Sequence, residues 1–360
     1  MRFVLGLVRT LHAWSGAALS LLLIVLGLTG ALLVWSSDFL RLTIPEARQA
    51  APATPQALGA VAEAAEHAFG HPPKYMVFAR PGQGLHQVFL HDEHFAYLAG
   101  DGHTAATWEG AGRPEVWVYN LHHFLLAGET GMKVVGFAGL AALALILTGL
   151  IVWAPVWRAS RLRLWPRSPR RPDLIATHRN IGLIFAIPVF IFCLTGSAMI
   201  FYQTAQKWLV KALPGPEAEE FFPPADDGDI DWPKALAAAQ GAFPGARLRV
   251  IIWPSFPGAR AQILMQQPAE WNPEGKTKVV INPRNSEILG VVDPQALARG
   301  TRMFDAFYPI HTATVGGRLY DVVATLCGLA MAGLGGLGLW SFLIKPRRRK
   351  AGKNGAGAPA

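Results

Sequence analysis

Residues 12–30, HAWSGAALSLLLIVLGLTG, and residues 178–196, HRNIGLIFAIPVFIFCLTG, share one pattern. Each stretch begins with a histidine, has a glycine four residues later and ends in Thr-Gly. In both, 17 steps separate the histidine from the threonine (29 minus 12; 195 minus 178). The residues between are largely apolar, and about 20 apolar residues in a helix cross the hydrocarbon core of a bilayer. The pattern predicts two membrane-spanning helices in a duplicated unit.

Two further apolar runs bring the predicted spans to four, placed near residues 13–36, 133–156, 180–203 and 321–344. The chain of 360 residues is 51% hydrophobic and only 16% charged, which is typical of membrane proteins. The first run is longer than the apolar part of a signal peptide, and no small-x-small cleavage site follows it. We therefore expect it to remain as a span.

The second and fourth spans repeat each other more loosely. A histidine precedes Gly128 and Gly317 by the same six residues (128 minus 122; 317 minus 311). Each span also ends in Gly-Leu-x-x-Trp, beginning at Gly149 and at Gly336. The distances from histidine to tryptophan differ by two residues, so this pairing is the weaker half of the repeat.

The basic residues flank the spans on one side. Six arginines lie within residues 158–171, and five lysines and arginines lie within residues 345–350. Because basic loops stay in the cytoplasm, we expect both segments and the N-terminus to be cytoplasmic. Of the 24 acidic residues, only Asp173 would then lie inside. This clustering accounts for the formal charge of +9 without a nucleic-acid partner.

Two long polar segments separate the spans. In the first, Pro55–Phe69 is typical of an amphipathic helix, and the runs at 75–79 and 87–90 are typical of strands. In the second, residues 232–243 predict a helix. Strands are predicted after it at 248–253, 261–266, 278–282 and 288–292. We expect each segment to form a small α+β domain in the periplasm.

The predicted fold class is therefore a membrane α-helical, four-transmembrane-helix bundle with two periplasmic α+β domains, in a bacterial inner membrane with both termini cytoplasmic. The predicted order along the chain is transmembrane helix 1 at 1–36, periplasmic domain 1 at 37–120, transmembrane helix 2 at 121–156, a basic cytoplasmic loop at 157–177, transmembrane helix 3 at 178–203, periplasmic domain 2 at 204–310, transmembrane helix 4 at 311–344 and a basic cytoplasmic tail at 345–360.

Four histidines lie at the ends of the predicted spans. His12 and His178 lie at the cytoplasmic ends, whereas His122 and His311 lie at the periplasmic ends. Two imidazoles from facing helices at similar depth are the axial ligands of a low-spin b haem. The sequence therefore favours two b haems, with the haem irons as the metal centres and one haem near each face of the membrane.

Other interpretations of these residues remain open. A single histidine at a helix end also suits the membrane interface without any ligand role. His123 is a rival ligand to His122, which we prefer because its offset to glycine recurs at His311. Arg179 and Arg318 could pair with haem propionates or could extend toward the membrane surface.

Four histidines lie close together in the first polar segment, at positions 86, 91, 94 and 103. Their spacing matches no specific metal-ligand motif, so a solvated loop is favoured over a metal site. The chain has no glycine-rich dinucleotide motif, no P-loop and no nucleophile motif. We therefore predict no catalytic residues beyond haem ligands.

Several short motifs are spread over nearly the whole chain: Leu11-His12-x-Trp14-x-Gly16, Leu121-His122 with Gly128-Glu129-Thr130-Gly131, Thr148-Gly149-Leu150 with Trp153, His178-Arg179-x-x-Gly182, and His311 with Gly317-Arg318. In these motifs the chain resembles the PepSY-associated transmembrane helix family, which includes bacterial iron-regulated membrane proteins and ferric-siderophore reductases. The resemblance implies PepSY-type periplasmic domains and haems ligated by His12 with His178 and by His122 with His311. This chain departs from the family pattern at residues 335–337, which are Gly-Gly-Leu where relatives often have Thr-Gly-Leu.

The leading hypothesis is electron transfer across the membrane to ferric iron, held in a siderophore or another chelate in the periplasm. The electron donor would be a quinol or a cytoplasmic reductant. One rival hypothesis uses the histidines as a relay for protons or metal ions. Another treats the chain as a membrane-anchored PepSY module for binding or regulation without redox activity, since PepSY domains are also associated with peptidase inhibition.

Overall fold

The computed structural model describes residues 2–80, 82–159, 162–218 and 221–344. The predicted basic tail at 345–360 and Arg161 of the predicted basic loop lie outside the described residues. In the described part, the polypeptide divides into a bundle of long helices and one β-sheet with its covering helices. We call the end of the bundle nearest the sheet the sheet side, and the opposite end the far side.

Eleven α-helices are present in the described residues. They are α1 (Arg2–Leu33), α2 (Ser36–Thr43), α3 (Pro55–Phe69), α4 (Pro114–Phe124), α5 (Gly128–Trp153), α6 (Arg171–Ile200), α7 (Tyr202–Ala212), α8 (Trp232–Ala242), α9 (Arg299–Asp305), α10 (Phe307–His311) and α11 (Gly317–Leu343). Eight strands form the sheet. They are β1 (Tyr75–Val77), β2 (His86–Phe89), β3 (His94–Leu98), β4 (Thr104–Glu109), β5 (Arg247–Ile252), β6 (Ala261–Gln266), β7 (Thr277–Ile281) and β8 (Ile288–Val292).

Helices α1, α5, α6 and α11 are long and apolar enough to cross a membrane, which confirms the four predicted spans. Large apolar side chains on them face outward, for example Leu21 at 70% and Ile187 at 75% exposed. Such exposure is costly in water and favourable in lipid. Helix α6 begins at Arg171, earlier than predicted, because Pro172 in its first turn suits a helix start.

The bundle closes because each long helix packs on two others: α1 contacts α5 and α11, and α6 contacts the same two. Gly27 of α1 and Gly328 of α11 allow the closest approach. A Cβ atom at Gly27 would lie 2.5 Å from the carbonyl oxygen of Gly328, and a Cβ at Gly328 would lie 2.4 Å from that of Gly27. Small residues at helix crossings allow close backbone packing where no hydrophobic effect drives association.

The two polar segments form one sheet, so the prediction of two separate domains is corrected. The strand order is β4-β3-β2-β1-β5-β6-β7-β8, and β1 pairs antiparallel with β5 through Met76 and Ile251. If the two segments formed separate sheets, β1 and β5 would be edge strands with unpaired backbone groups. Pairing β1 with β5 gives these groups hydrogen-bond partners. Glu66 of the first segment also accepts hydrogen bonds from the indoles of Trp232 and Trp253 in the second.

The helices α3 and α8 pack together over a core to which both polar segments contribute. Helix α3 was predicted at its observed bounds, as were β6 and β8, because period-3.6 and period-2 apolar patterns are clear there. Strands β3 and β4 were missed. Strand β4 lies at the edge of the sheet and none of its residues is fully buried, so its sequence has weak alternation.

His86 lies in β2 with a fully buried side chain, so its prediction as part of a solvated loop was wrong. Its Nδ1 accepts a hydrogen bond of 3.2 Å from the backbone N–H of Ala79. Burial, together with the positive charge of Arg249, lowers the pKa of His86 to about 4. The histidines at 91, 94 and 103 are exposed.

The sheet should lose stability in acid because of His86. The pKa of His86 in the folded state lies below the unfolded value of 6.5, so protonation favours unfolding. Its contribution is complete above pH 6.5 and is lost as the pH falls toward 4, on the order of 3 kcal/mol. The variant His86→Asn keeps a side-chain acceptor for the backbone N–H of Ala79. Denaturant titrations at pH 7 and pH 5 should show a smaller decrease in the free energy of unfolding for the variant than for the unaltered protein. An equal loss in both would contradict this assignment.

Candidate histidine-pair sites in the helix bundle

Two of the four histidines lie on short helices and not on the spans, which corrects the predicted starts of transmembrane helices 2 and 4. His122 is near the end of α4, and His311 is the last residue of α10. Left-handed backbone separates these helices from α5 and α11, because several residues there have positive φ. They are Leu125, Leu126, Gly128, Ala313, Gly316 and Gly317.

The histidines meet in the two predicted pairs. The sheet-side pair is His122 and His311, whose ring centroids are 6.2 Å apart with an interplanar angle of 46°. The far-side pair is His12 and His178, whose centroids are 6.3 Å apart at 81°. In each pair the two members come from different halves of the duplicated sequence, so the pairs lie where the two repeats face each other.

The pairs lie near opposite ends of the bundle. His12 belongs to the far-side pair, whereas Gly30 on the same helix contacts His122 of the sheet-side pair. Eighteen residues separate His12 from Gly30 (30 minus 12), about 27 Å at 1.5 Å per residue. This length is close to the roughly 30 Å of a bilayer's hydrocarbon core.

Threonine hydroxyls bind three of the four imidazoles. The Nδ1 atom of His12 lies 3.0 Å from Thr148 Oγ1, and that of His122 lies 2.9 Å from Thr29 Oγ1. The equivalent distance from His311 to Thr195 is 3.2 Å. Each threonine belongs to a Thr-Gly pair on a helix of the same sequence repeat.

These threonines decide which ring nitrogen carries the proton. Each hydroxyl donates to the carbonyl four residues earlier on its own helix, at 2.7–2.8 Å. Its oxygen is therefore left to accept, so the histidine Nδ1 must be the donor. His178 Nδ1 faces the carbonyl oxygen of Leu334 at 3.0 Å, and a carbonyl also only accepts. All four imidazoles thus have Nδ1–H, and the lone pair is on Nε2.

A glycine lies against each imidazole. A Cβ atom would come within 3.1 Å of His122 Cε1 at Gly30 and within 2.6 Å of His311 Cε1 at Gly196. On the far side, the corresponding distances are 3.3 Å from Gly149 to His12 and 3.4 Å from Gly338 to His178. Glycine at these positions leaves room for the ring beside the helix backbone.

The glycine contacts correct the sequence register of the fourth span. The counterpart of Gly149 is Gly338 and not Gly336, which the Gly-Leu-x-x-Trp match had suggested. The offset from histidine to contacting glycine is then 27 residues in both repeats (149 minus 122; 338 minus 311). Leu337 occupies the threonine position of this fourth site, which explains why His178 bonds to a carbonyl alone.

The spacing within each pair suits a shared metal ion. With metal–imidazole bonds of about 2.0 Å and about 1.2 Å from nitrogen to ring centre, imidazoles on opposite sides of one metal have centroids about 6.4 Å apart. The observed 6.2 and 6.3 Å agree with this value. Among the described residues no protein group forms a hydrogen bond with Nε2 of these histidines. The donor set fits the two axial positions of a haem iron.

The rival and auxiliary residues lie in different surroundings. The ring of His123 stacks on that of Phe124, with the two centroids 4.5 Å apart, and His123 is not the partner of His311. Arg318 donates through both Nη atoms to Asp38 at 2.6 Å, so a carboxylate of this chain already binds it. Arg179, next to His178, has a buried Nε without a hydrogen-bond partner.

Three buried donors near the far-side pair have no partner within the described residues. Thr177 Oγ1 and Arg179 Nε belong to the residues on either side of His178, and Trp153 Nε1 lies one turn after Gly149. Buried polar groups without partners are costly, so such a concentration indicates an acidic or polar ligand. The described residues contain no group of three or more His, Cys, Asp or Glu side chains arranged to hold a metal ion.

Sequence reasoning missed the supporting residues although a signal was present. The Thr-Gly pattern identifies the repeat in the sequence but does not by itself connect these residues to the histidines, and Gly338 was not singled out. The constant offset of 27 residues from histidine to glycine would have identified Gly149 and Gly338 together.

The fold and the paired histidines define a class of membrane protein with four spanning helices, an α+β region at one end and two internal bis-imidazole positions. The PepSY-associated TM region family matches residues 9–345, nearly the whole chain, and the protein belongs to that family. No curated protein matches the chain.

Proposed function

We propose that this protein binds two b haems and transfers electrons across a bacterial inner membrane to ferric iron in the periplasm. The observation that carries the proposal is the meeting of four imidazoles in two pairs, with ring centroids 6.2–6.3 Å apart in each pair. Among the described residues, Nε2 of each imidazole has no hydrogen-bond partner. Neutral imidazole with Nδ1–H bound elsewhere is the usual form of a histidine ligand.

His12 and His178 would hold the far-side haem, and His122 and His311 the sheet-side haem. When bound, the two groups supply one-electron carriers near opposite faces of the membrane. The protein contributes rigid ligand positions, because each imidazole is fixed by a hydrogen bond and by a glycine contact. Thr177, Arg179 and Trp153 would donate to the propionates of the far-side haem.

The proposed direction of transfer is from the far side to the sheet side. A quinol or a cytoplasmic reductant would supply the electron, with the far side at the cytoplasm. The acceptor would be ferric iron in a siderophore or another chelate near the sheet. Reduction to Fe(II) weakens binding by hard oxygen ligands, so iron is released for uptake.

A histidine relay for protons or metal ions fits the contacts less well. A relay histidine must exchange protons at both nitrogens, yet Nδ1 of each imidazole is bound to an acceptor inside the bundle. On α1, no Asp, Glu, His, Lys, Arg, Cys or Tyr lies between His12 and Gly30, a stretch of about 27 Å. A membrane-anchored module without redox activity would not require these paired contacts.

An absorbance spectrum tests the proposal directly. The purified full-length protein, produced with ample haem supply, should show a sharp Soret band that shifts on reduction with dithionite. Pyridine haemochrome measurement should give two b haems per chain. A colourless protein would exclude this function and would favour the relay or the anchored module.

The threonine at the sheet-side site should strengthen ligand binding. Thr29→Val keeps the side-chain shape but removes the acceptor for His122 Nδ1–H. Loss of such a supporting hydrogen bond lowers metal affinity by about 10–100-fold. Competition with an apo-haem-binding protein should show faster loss of one haem, while the far-side haem is retained as in the unaltered protein. Equal loss rates would contradict this role for Thr29.

A further inference from the structure

A cavity of about 290 Å³ lies beside the sheet, outside both histidine pairs. Its walls come from the loop between β6 and β7, from Pro294 and Gln295, and from helix α9. Five charged side chains line it. They are Lys276, Arg299, Arg302, Glu270 and Asp305. Three positive and two negative groups leave an excess of one positive charge.

The two arginines of the cavity are free to bind a ligand. Among the described residues no carboxylate lies within 4.0 Å of the side-chain nitrogens of Lys276, Arg299 or Arg302. The acidic Glu270 is instead used within its own loop, where its oxygens accept from the backbone of Gln267 and from the hydroxyl of Thr277. Lys276 acts on the nearby carboxyl of Asp305, so Arg299 and Arg302 carry the excess positive charge that an incoming anion would meet.

The cavity is close to the sheet-side pair. Ala306 lines it and also caps the N-terminus of α10, the five-residue helix that ends at His311. Five residues of helix span about 7.5 Å. The β6–β7 loop reaches the same region, because Glu274 pairs with Arg80 at 3.6 Å and both affect Tyr308 in α10. Burial, with Glu274 nearby, raises the pKa of Tyr308 to about 12.

The size of the cavity restricts its ligand. Pockets for small molecules usually measure about 300–1,000 Å³, so this one is at the lower end. Trp271 and Met303 add apolar surface at its edge, where they are 58% and 47% exposed. A compact polycarboxylate chelate would match both the volume and the charge of the cavity, whereas a bulky siderophore would extend beyond its open side.

We propose that this cavity binds a compact, anionic, carboxylate-rich metal chelate and is the place where the electron acceptor docks. The inference rests on the proposed function and narrows its acceptor class. In the bound chelate, Fe(III) gains one electron and becomes Fe(II). That electron comes from the quinol or cytoplasmic reductant by way of the sheet-side site, and no bond to carbon is made or broken.

Binding of redox-inert gallium complexes tests this proposal without relying on electron transfer. Equilibrium dialysis of the full-length protein would use radioactive Ga(III)–EDTA, a compact anion, and the Ga(III) complex of a cationic tris-hydroxamate siderophore. We expect saturable binding of Ga(III)–EDTA only. Arg302→Glu should weaken it at least about tenfold through like-charge repulsion. Lys234→Glu, a charge reversal at another exposed position, should leave it unchanged.

The milder Arg302→Gln provides a second test if the charge reversal fails to fold, and about threefold weaker binding is expected. Equal binding of both gallium complexes, or no effect of either Arg302 variant, would overturn the proposal. The haem spectrum is measured on the same samples. A colourless protein with charge-sensitive Ga(III)–EDTA binding would contradict the proposed function but retain the anion site.

Discussion

His122→Ala should lower the haem content from two per chain to one. The structure places His122 opposite His311, so the substitution leaves only one axial ligand at the sheet side. The proposed sheet-side haem would then be held by one imidazole instead of two, so it should be lost during purification. The far-side pair, about 27 Å away along α1, should keep its haem with an unchanged reduced spectrum. Pyridine haemochrome measurement gives the stoichiometry.

His123→Ala is the matched control, since it lies on the same short helix but stacks on Phe124. It should retain two haems per chain. The rate of electron transfer from dithionite-reduced protein to ferric chelates should fall strongly in His122→Ala and little in His123→Ala. The assignment would be reversed if His123→Ala lost the haem and His122→Ala retained it.

Gly196→Ala should disrupt the sheet-side site by steric conflict alone. A Cβ atom at this position would lie 2.6 Å from Cε1 of His311, closer than real Cβ contacts allow. The ring must move, and overpacking of this kind costs about 1–3 kcal/mol. Since about 1.4 kcal/mol is a factor of ten, haem affinity at this site should fall about 5- to 150-fold. Haem transfer to an apo-haem-binding protein measures the change.

Gly338→Ala provides the matched comparison at the far side. Its Cβ would lie 3.4 Å from Cε1 of His178, an ordinary van der Waals contact, so both haems should remain. Each variant places a methyl group on the same kind of helix face against the same kind of ring. Similar haem loss in both variants would mean that general bundle destabilisation, and not ring displacement, is responsible.

The fold was predictable where a one-dimensional pattern carries the information. Four apolar runs and the helix Pro55–Phe69 follow from composition and periodicity, and the structure has helices at each. The division into two domains was wrong because pairing between β1 and β5 joins residues about 175 positions apart, as with Met76 and Ile251. A local sequence pattern does not predict which strands pair when they lie far apart in the sequence.

The sequence by itself determined that this is a four-span membrane protein built from a repeat, with histidines at both ends of the bundle. The spacing of the histidines along the sequence marks those positions, because a helix of about 20 residues is as long as the hydrocarbon core is thick. Only the tertiary structure decided that His122 lies on a short helix before its span, that Arg318 pairs with Asp38, and that Gly338 replaces Gly336 in the repeat. These outcomes depend on helix rotation and on backbone turns before the spans, which arise from packing between distant segments.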